Sequence, residues 1–292
     1  MVAKVIDGNA LARKVRAQYR ERVDRLLARG VRPGLAVILV GDNPASEVYV
    51  ARKTRACAEV GIHSEVRRFP RDTTEAEVLA EICRLNADPA IHGILVQLPL
   101  PPAYHLRNIL EAISLEKDVD GFHLYNVGSL IFGDTVFPPC TPFGVQCMLE
   151  SENIPLEGQN VVVVGASNIV GKPMAMMLMQ REATVAICHA KTRDLAQFTI
   201  LADILIVAAG QPRLITAPMV KTGAVVIDVG INRLPDGTLV GDVDYEPVAR
   251  KASYITKVPG GVGPMTVTML LGNTVHAAER TLQASQGKAA AC

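Results

Sequence analysis

Two residues that could take part in proton transfer lie one helical turn apart near residue 50. Tyr49 and Lys53 are four positions apart in a segment with helical periodicity, so both side chains are expected on the same helix face. A hydroxyl and an ammonium group on one face could orient a substrate and exchange a proton with it. The alternative interpretation is that Lys53 is a solvated charge and that Tyr49 belongs to the core.

A glutamine and an aspartate follow in positions that are typical of binding residues. Gln97 ends the apolar run 94–96 and precedes the sequence Leu-Pro-Leu-Pro at 98–101. Ligands bind beyond the carboxyl ends of parallel strands, which makes Gln97 a candidate binding residue. Asp120 lies in the turn-rich stretch 117–123. The alternatives are a buried amide satisfied by a loop for Gln97 and a turn aspartate bonded to its own backbone for Asp120.

The second half of the chain contains a glycine turn between an apolar run and a helical segment. After the four valines at 161–164 the sequence reads GASNIVGKP over 165–173. A strand, a glycine turn and a helix start offer backbone N–H groups to a pyrophosphate. The dinucleotide fingerprint is imperfect because Ser167 replaces its second glycine and the loop is one residue longer. A plain strand–helix turn is the alternative, but the three further strands favour a dinucleotide.

The end of the next strand indicates which dinucleotide is bound. An NAD site usually has an acidic residue there, which holds the ribose hydroxyls. Residues 188–193 read CHAKTR, without an acidic residue and with Lys191 and Arg193 available for a 2′-phosphate. The sequence therefore predicts NADP.

Strand-like apolar runs alternate with helical segments along most of the chain, which predicts an α/β fold with parallel sheets covered by helices. In the first half, strands are predicted at 35–40, 62–69 and 94–96, and helices at 10–29, 44–60 and 74–85. In the second half, strands are predicted at 161–164, 184–188, 204–208 and 224–229. Residues 140–158 are expected to link the halves, and the last helix is expected to run from after Pro264 to about Ala284, with a frayed Ala-rich tail.

The composition limits which kinds of molecule the protein is expected to bind and where it is expected to be located. The formal net charge is +1, which gives no reason to propose a nucleic acid or a membrane surface as partner. The six cysteines form no CxxC pair and the six histidines show no metal-ligand spacing, so no metal site is predicted and reduced thiols are expected. With neither a secretory signal nor a membrane-length apolar stretch, the expected location is the cytoplasm.

Five motifs occur in a specific order along nearly the whole chain. They are Tyr49-x-x-x-Lys53, VQLPL at 96–100, DVDGF at 118–122, GASxxVG at 165–171 and PGGVGPMT at 259–266. In these motifs the sequence resembles the bifunctional methylenetetrahydrofolate dehydrogenase–methenyltetrahydrofolate cyclohydrolase family. No synthetase-sized extension follows residue 292, so the formyltetrahydrofolate ligase activity of longer relatives is not expected.

The resemblance implies two domains. An α/β folate-binding catalytic domain would comprise residues 1–140 and 270–292, and a Rossmann-like NADP-binding domain with a parallel sheet would comprise 141–269. It also implies oxidation of 5,10-methylenetetrahydrofolate with NADP, hydrolysis of the product to 10-formyltetrahydrofolate, and a homodimer.

The resemblance also implies site residues. The implied catalytic residues are Lys53, Tyr49, Gln97 and Asp120, with Tyr49 and Gln97 framing the lysine and Asp120 binding the pterin. The implied substrate-binding residues are Tyr49, Gln97, Leu98, Pro99, Asp120, Pro259, Gly260 and Gly261. The implied cofactor-binding residues are Gly165, Ala166, Ser167, Ile169, Val170, Ala190, Lys191 and Ile231. Relatives often place Ser or Arg where Ala190 stands, so Lys191 or Arg193 must hold the 2′-phosphate here, or discrimination is weaker.

Two other functions are compatible with part of this pattern. Another NADP-linked two-domain dehydrogenase, acting on a shikimate-like or amino-acid substrate, would account for the Rossmann half but not for Lys53, Gln97 and the glycine loop at 259–263 together. A non-catalytic folate- or nucleotide-binding module would be expected to have lost Lys53 or Asp120, and both are present.

Overall fold

The computed structural model describes the backbone of residues 2–290 and the side chains of residues 2–286. The strands are β1 (Lys4–Ile6), β2 (Gly34–Val40), β3 (His63–Phe69), β4 (Gly93–Val96), β5 (Asn160–Val164), β6 (Thr184–Cys188), β7 (Ile204–Val207), β8 (Val225–Asp228), β9 (Asn232–Arg233), β10 (Leu239–Val240) and β11 (Tyr254–Thr256). The helices are α1 (Gly8–Leu27), α2 (Pro44–Val60), α3 (Glu75–Ala87), α4 (Leu106–Ala112), α5 (Leu124–Phe132), α6 (Cys140–Ser151), α7 (Gly171–Met179), α8 (Ala196–Thr199), α9 (Tyr245–Ala249) and α10 (Val262–Ala290). None of the helices in this described part has the length and apolarity needed to cross a membrane.

The chain divides into two compact units. The three-stranded unit comprises residues 14–129, 135–138 and 267–290. The six-stranded unit comprises residues 2–13, 130–134 and 139–266. Both units contain parallel sheets, so the predicted two-domain α/β class is confirmed.

The three-stranded unit is built on a parallel sheet in the order β3-β2-β4. Every residue of the central strand β2 is buried, as its uninterrupted apolar sequence predicts. Ile38 and Ile94 of the sheet pack in one core cluster with Ile82 of α3. This core fixes the carboxyl end of β4, where Gln97 follows.

Helix α2 begins and ends where the sequence predicts. The Asn43 side chain accepts hydrogen bonds from the N–H groups of Ala45 and Ser46, and Pro44 occupies the first turn. The helix ends at Gly61, which has a left-handed backbone. These caps set the register of α2 and therefore the positions of Tyr49 and Lys53.

The six-stranded unit has a parallel sheet in the order β1-β11-β8-β7-β5-β6. Strand β5 lies between β6 and β7, so the strand order reverses at β5, as in doubly wound dinucleotide-binding folds. The opposite edge is β1, which pairs with β11. Because of this pairing, residues 2–13 group with the six-stranded unit, whereas the sequence places residues 1–140 in the folate-binding domain. As a division by function, the boundaries 1–140, 141–269 and 270–292 stay a prediction.

Two further elements differ from the sequence-based expectation. The expected link at 140–158 consists largely of helix α6, whose buried face includes Val145 and Met148 and belongs to the six-stranded unit. The last helix starts at Val262, before Pro264, because the first turn of a helix needs no donor at that position. It continues beyond Ala284 to Ala290, and the rest of the tail, residues 291–292, lies outside the described residues.

Candidate active site and dinucleotide site

Lys53 and Gln97 meet at the carboxyl end of β4. Lys53 Nζ donates a hydrogen bond to Gln97 Oε1 at 2.9 Å, and both side chains are half-buried. The Gln97 backbone N–H donates to the carbonyl of Ile38, and its Nε2 donates to the carbonyl of Leu98 at 2.7 Å. The glutamine is thus held by backbone on both sides, and its carbonyl oxygen fixes the lysine. The peptide bond between Leu98 and Pro99 is cis.

Two neighbours of Lys53 on α2 remain uncharged near neutral pH. Tyr49, one turn before it, is half-buried, and burial raises the pKa of its phenol, opposed by the charge of Arg52. Cys57, one turn after it, is fully buried, and burial raises the pKa of its thiol to about 12, although Lys53 and Arg16 lower it. Cys57 is one of the expected reduced thiols, and the spacing of 49, 53 and 57 places all three residues on one face of α2.

Asp118 and Asp120 lie in the same turn but differ in burial. The Asp118 carboxylate accepts hydrogen bonds from Phe122 N at 3.2 Å, His123 N at 2.8 Å and Asn126 Nδ2 at 2.7 Å. Asp118 is buried, and burial raises its pKa to about 6, with a small further contribution from the negative charge of Asp120. Asp118 is therefore an aspartate bonded to the backbone of its own turn, and Asp120, two residues later, is half-buried.

A residue far along the chain holds the same turn. Asn273 on α10 donates from Nδ2 to the carbonyl of Val119 at 2.8 Å and to that of Pro138 at 3.0 Å. The backbone next to Asp120 is therefore fixed by Asp118 on one side and by Asn273 on the other. The sequence analysis missed Asn273, since a lone asparagine in a helix carries no signal of a long-range contact.

Two glycines of the turn after β5, Gly165 and Gly171, lie where a side chain would not fit. Gly165 has φ 119°, and a Cβ there would lie 2.1 Å from the carbonyl oxygen of Ala208. A Cβ on Gly171 would lie 1.9 Å from the carbonyl oxygen of Gly165. Ser167 Oγ accepts from Val170 N at 3.1 Å and from Gly171 N at 3.4 Å, so the serine at the second glycine position stabilises the start of α7. This tight turn at a helix N-terminus fits a pyrophosphate.

The loop after β6 is a closed turn that carries exposed cations. His189 N donates to Thr192 Oγ1 at 3.0 Å, and Lys191 N donates to His189 Nδ1 at 3.2 Å. Lys191 and Arg193 are exposed, as is Ala190 between them and the strand. The first acidic residue, Asp194, accepts from Ala196 N at the start of α8. The loop therefore presents positive charge at the position where an NAD site places a carboxylate.

The remaining predicted site residues lie in two loops of the six-stranded unit. Ile231 follows β8 and is 41% exposed. The loop at 259–261 packs against the start of α1, where Asn9 N donates to the carbonyl of Gly260 at 3.2 Å and the Gly8 backbone approaches Gly261. Among the described residues, no cluster of three His, Cys, Asp or Glu side chains could hold a metal ion.

Comparison with known proteins gives matches along both halves of the chain. Residues 6–120 match the catalytic-domain model of the tetrahydrofolate dehydrogenase/cyclohydrolase family, and residues 139–282 match the model of its NAD(P)-binding domain. The bifunctional protein FolD of Nitrosospira multiformis is 62% identical over 287 residues, which are 98% of this chain and 100% of that protein.

Comparison with solved structures gives matches to the same family. The bifunctional enzyme FolD from Campylobacter jejuni matches with a TM-score of 0.94 at 53% identity, covering 96% of this chain and 99% of that chain. The Trypanosoma brucei enzyme, solved with NADP cofactor and an inhibitor, matches with a TM-score of 0.94 at 39% identity, covering 97% of this chain and 99% of that chain. The chain therefore belongs to the tetrahydrofolate dehydrogenase/cyclohydrolase family.

Proposed function

We propose that both steps of the family's reaction depend on Lys53 and the residues that surround it. The chain oxidises 5,10-methylenetetrahydrofolate to 5,10-methenyltetrahydrofolate with NADP, and it then hydrolyses the methenyl compound to 10-formyltetrahydrofolate. The observation that carries the assignment to Lys53 is its 2.9 Å hydrogen bond to Gln97 at the carboxyl end of β4. Family membership favours neither of the alternatives, another NADP-linked dehydrogenase or a non-catalytic binding module.

In the oxidation step the protein mainly has to position the folate for hydride transfer. The reacting carbon lies between two folate nitrogens, so loss of hydride leaves a cation that both nitrogens stabilise. No O–H or N–H proton has to be removed, and the role of Tyr49, Lys53 and Gln97 in this step is to hold the folate in a productive orientation. NADP, when bound, supplies the hydride acceptor.

The hydrolysis step requires proton transfer. Water adds to the methenyl carbon, one of its protons ends on the departing nitrogen, and the other is released. Lys53 in its amine form can accept a proton from the water, and its ammonium form can return one to the nitrogen. Gln97 accepts a hydrogen bond from Nζ, so the same contact that positions the lysine holds it through the transfer.

Asp120 is proposed to bind the pterin. A carboxylate can pair with the amino-pyrimidinone edge through two parallel hydrogen bonds, as it does with a guanidinium group. The bonds of Asp118 and Asn273 to the neighbouring backbone support this role because they hold the turn. Contacts of Leu98 and Pro99, and of Pro259, Gly260 and Gly261, with the folate stay predictions.

The dinucleotide is proposed to bind at the carboxyl end of the six-stranded sheet, within residues 141–269. The glycine turn would hold the pyrophosphate through Gly165, Ala166, Ser167, Ile169 and Val170. Lys191 or Arg193, beside Ala190, would hold the 2′-phosphate, and Ile231 would contact the dinucleotide. The tight approach of Gly165 to Ala208 and the exposed cations after β6 support this placement.

A homodimer is proposed through the free edge of the six-stranded sheet. Strand β6 ends the sheet, and an edge strand offers unpaired backbone groups to a partner. Ile187 on this strand is 37% exposed, and Leu201 just after α8 is 65% exposed. Light scattering after size-exclusion chromatography should give twice the mass of one chain, and L201E should lower it to one chain mass.

The cytoplasm is the proposed location, and no nucleic acid is proposed as partner. The described cysteines at 57, 83 and 188 are free thiols, which fits a reducing compartment. The formal charge of +1 gives no general attraction to nucleic acid.

The activity is tested by two separate assays on the purified enzyme. The first follows reduction of NADP or NAD with methylenetetrahydrofolate, and the second follows hydrolysis of preformed methenyltetrahydrofolate. We expect turnover in both assays, with NADP preferred. Absence of both activities in folded protein would favour the binding-module interpretation.

A further inference from the structure

Two carboxylates that have no role in the proposed reaction lie buried in the six-stranded unit. Asp228 is the last residue of β8, and Asp242 follows β10. Asp228 is 4% exposed and Asp242 is 0% exposed. A buried carboxylate is costly unless its oxygens accept hydrogen bonds, so the donors around these two residues indicate what they do.

Asp242 connects two loops. Its Oδ2 accepts from Ala209 N at 2.7 Å and from Gly210 N at 2.9 Å, in the loop that follows β7. Its Oδ1 accepts from Asn232 Nδ2 at 2.8 Å, and Asn232 comes directly after Ile231 in the segment that follows β8. One side chain thus binds the backbone beyond β7 and the Asn232 side chain beyond the neighbouring strand β8.

Asp228 fixes Asp242 in turn. Its Oδ1 accepts from Gly230 N and from Asp242 N, both at 3.0 Å, and its Oδ2 accepts from Val243 N at 2.9 Å. A side chain does not fit at Gly230, because a Cβ there would lie 2.2 Å from the Asp242 carboxyl carbon. A Cβ on Gly241 would lie 1.9 Å from Asp228 Oδ2.

The loops that Asp242 connects border the dinucleotide site. The strand order reverses at β5, and ligands of doubly wound sheets cross the carboxyl ends of the strands at such a point. Gly165 of the glycine turn approaches the carbonyl of Ala208, the residue directly before Ala209. Ile231, a proposed dinucleotide contact, lies directly before Asn232.

We propose that Asp242 is a positioning residue for the dinucleotide. By binding the N–H groups of Ala209 and Gly210 together with the amide of Asn232, it sets the loops after β7 and β8 in the conformation that binds NADP. The inference rests on the proposed function, because it takes NADP as the ligand. Asp242 acts through these loops and not through the 2′-phosphate, so its loss weakens NADP and NAD to the same extent.

The test is D242A in the full-length enzyme, with the affinity for NADP and NAD measured by calorimetry. Loss of hydrogen bonds to a charged acceptor should weaken both dinucleotides by about tenfold or more. Hydrolysis of preformed methenyltetrahydrofolate consumes no dinucleotide and should keep its rate. D242N should bind NADP within about threefold of wild type, because one oxygen remains for the two N–H groups and the Asn232 amide can turn its own oxygen toward the new NH₂ group.

D203A is the matched control. Asp203 also accepts a backbone N–H, from Asn160 at 2.9 Å, but it lies at the amino end of the same sheet. D203A should therefore keep wild-type affinity for NADP. Wild-type affinity in D242A, equal weakening in D203A and D242A, or D242N as weak as D242A would each overturn the proposal.

A further variant covers the case in which D242A does not fold. N232A removes one donor and leaves the two backbone bonds, so it should weaken NADP by about threefold to tenfold. Unchanged affinity in N232A would overturn the connection between the two loops. Failure of the wild-type enzyme to bind NADP would instead refute the proposed function.

Discussion

Lys53 donates a hydrogen bond to Gln97, a residue whose backbone N–H and side-chain NH₂ both bond to main-chain carbonyls. Gln97 accepts from Lys53 Nζ at 2.9 Å, and its own backbone N–H bonds to Ile38 at the end of the β2–β4 pairing. The ammonium is therefore positioned by the fully buried strands β2 and β4. This rigidity suits a group that must meet a water and a departing nitrogen in turn.

Replacing Lys53 should impair hydrolysis more than hydride transfer. K53M keeps much of the bulk of the side chain but removes the group that exchanges protons, and loss of such a group typically costs about 10²–10⁴ in rate. The two rates are measured separately, with hydrolysis started from preformed methenyltetrahydrofolate.

The adjacent exposed residue Arg52 provides the control for K53M. R52M removes a positive charge from the same helix and should leave hydrolysis near the wild-type rate. Full hydrolysis in K53M would remove Lys53 from the mechanism, and a greater loss in hydride transfer would reverse the assignment of steps.

Introducing a negative charge at Gln97 should move the pH profile of hydrolysis. In Q97E a carboxylate replaces the amide that accepts from Lys53, and an opposite charge at this distance favours the ammonium form. The pKa of Lys53 then rises, so the amine form is reached only at higher pH, and the rising limb of the pH–rate profile should shift upward. A profile identical to wild type would mean that Lys53 is not the titrating group.

The cations after β6 should distinguish NADP from NAD. Replacing both Lys191 and Arg193 by Ala should weaken NADP by tenfold or more, because a hydrogen bond to a charged group contributes about 1.5–3 kcal/mol. Affinity for NAD should stay nearly unchanged, since NAD carries no 2′-phosphate. Equal losses for the two dinucleotides would show that neither side chain contacts the 2′-phosphate.

Asp118 should make the folded protein less stable as the pH rises. Burial raises its pKa from 3.8 to about 6, so between these values the folded state binds a proton that the unfolded state has released. The stabilisation is fully present below pH 4 and is lost as the pH rises through 6, a change of about 3 kcal/mol for a shift of this size. Urea unfolding followed by circular dichroism at pH 4.5 and 7 should show about 2 kcal/mol of this loss in wild type.

The variant D118N isolates the contribution of that carboxyl group. Its amide does not titrate, so the decrease in stability between the two pH values should be smaller in D118N than in wild type. Asp228, whose pKa burial raises to about 7, still contributes to the slope in both proteins. An equal slope in the two proteins would exclude Asp118 as its source.

Local signals predicted the strands and helices that surround the proposed site. The cap at Asn43, the stop at Gly61 and the apolar run of β2 depend on neighbouring residues only, and they lie where the sequence predicts. The helical spacing of Tyr49 and Lys53 follows from the same register. The strand-end position made Gln97 a candidate binding residue, whereas its place beside Lys53 was implied by the family resemblance.

The positions that sequence reasoning missed depend on partners far along the chain. Asn273 bonds to Val119, and Asp242 bonds to Ala209, and neither residue type predicts a distant partner. The sequence singled out Asp120 and gave no role to Asp118, whose buried carboxylate bonds to the backbone of the same turn. The three residues of β1 are too few to carry a strand pattern.

The pairing of β1 with β11 has a consequence for synthesis on the ribosome. Lys4 and Ile6 leave the exit tunnel long before their partners Tyr254 and Thr256 are translated. Contacts of such long sequence separation form late, and an unpaired strand is exposed to wrong partners until they do. The nascent chain must therefore carry β1 without a sheet while residues 7–253 are made, and pairing with β11 then closes that edge of the six-stranded unit.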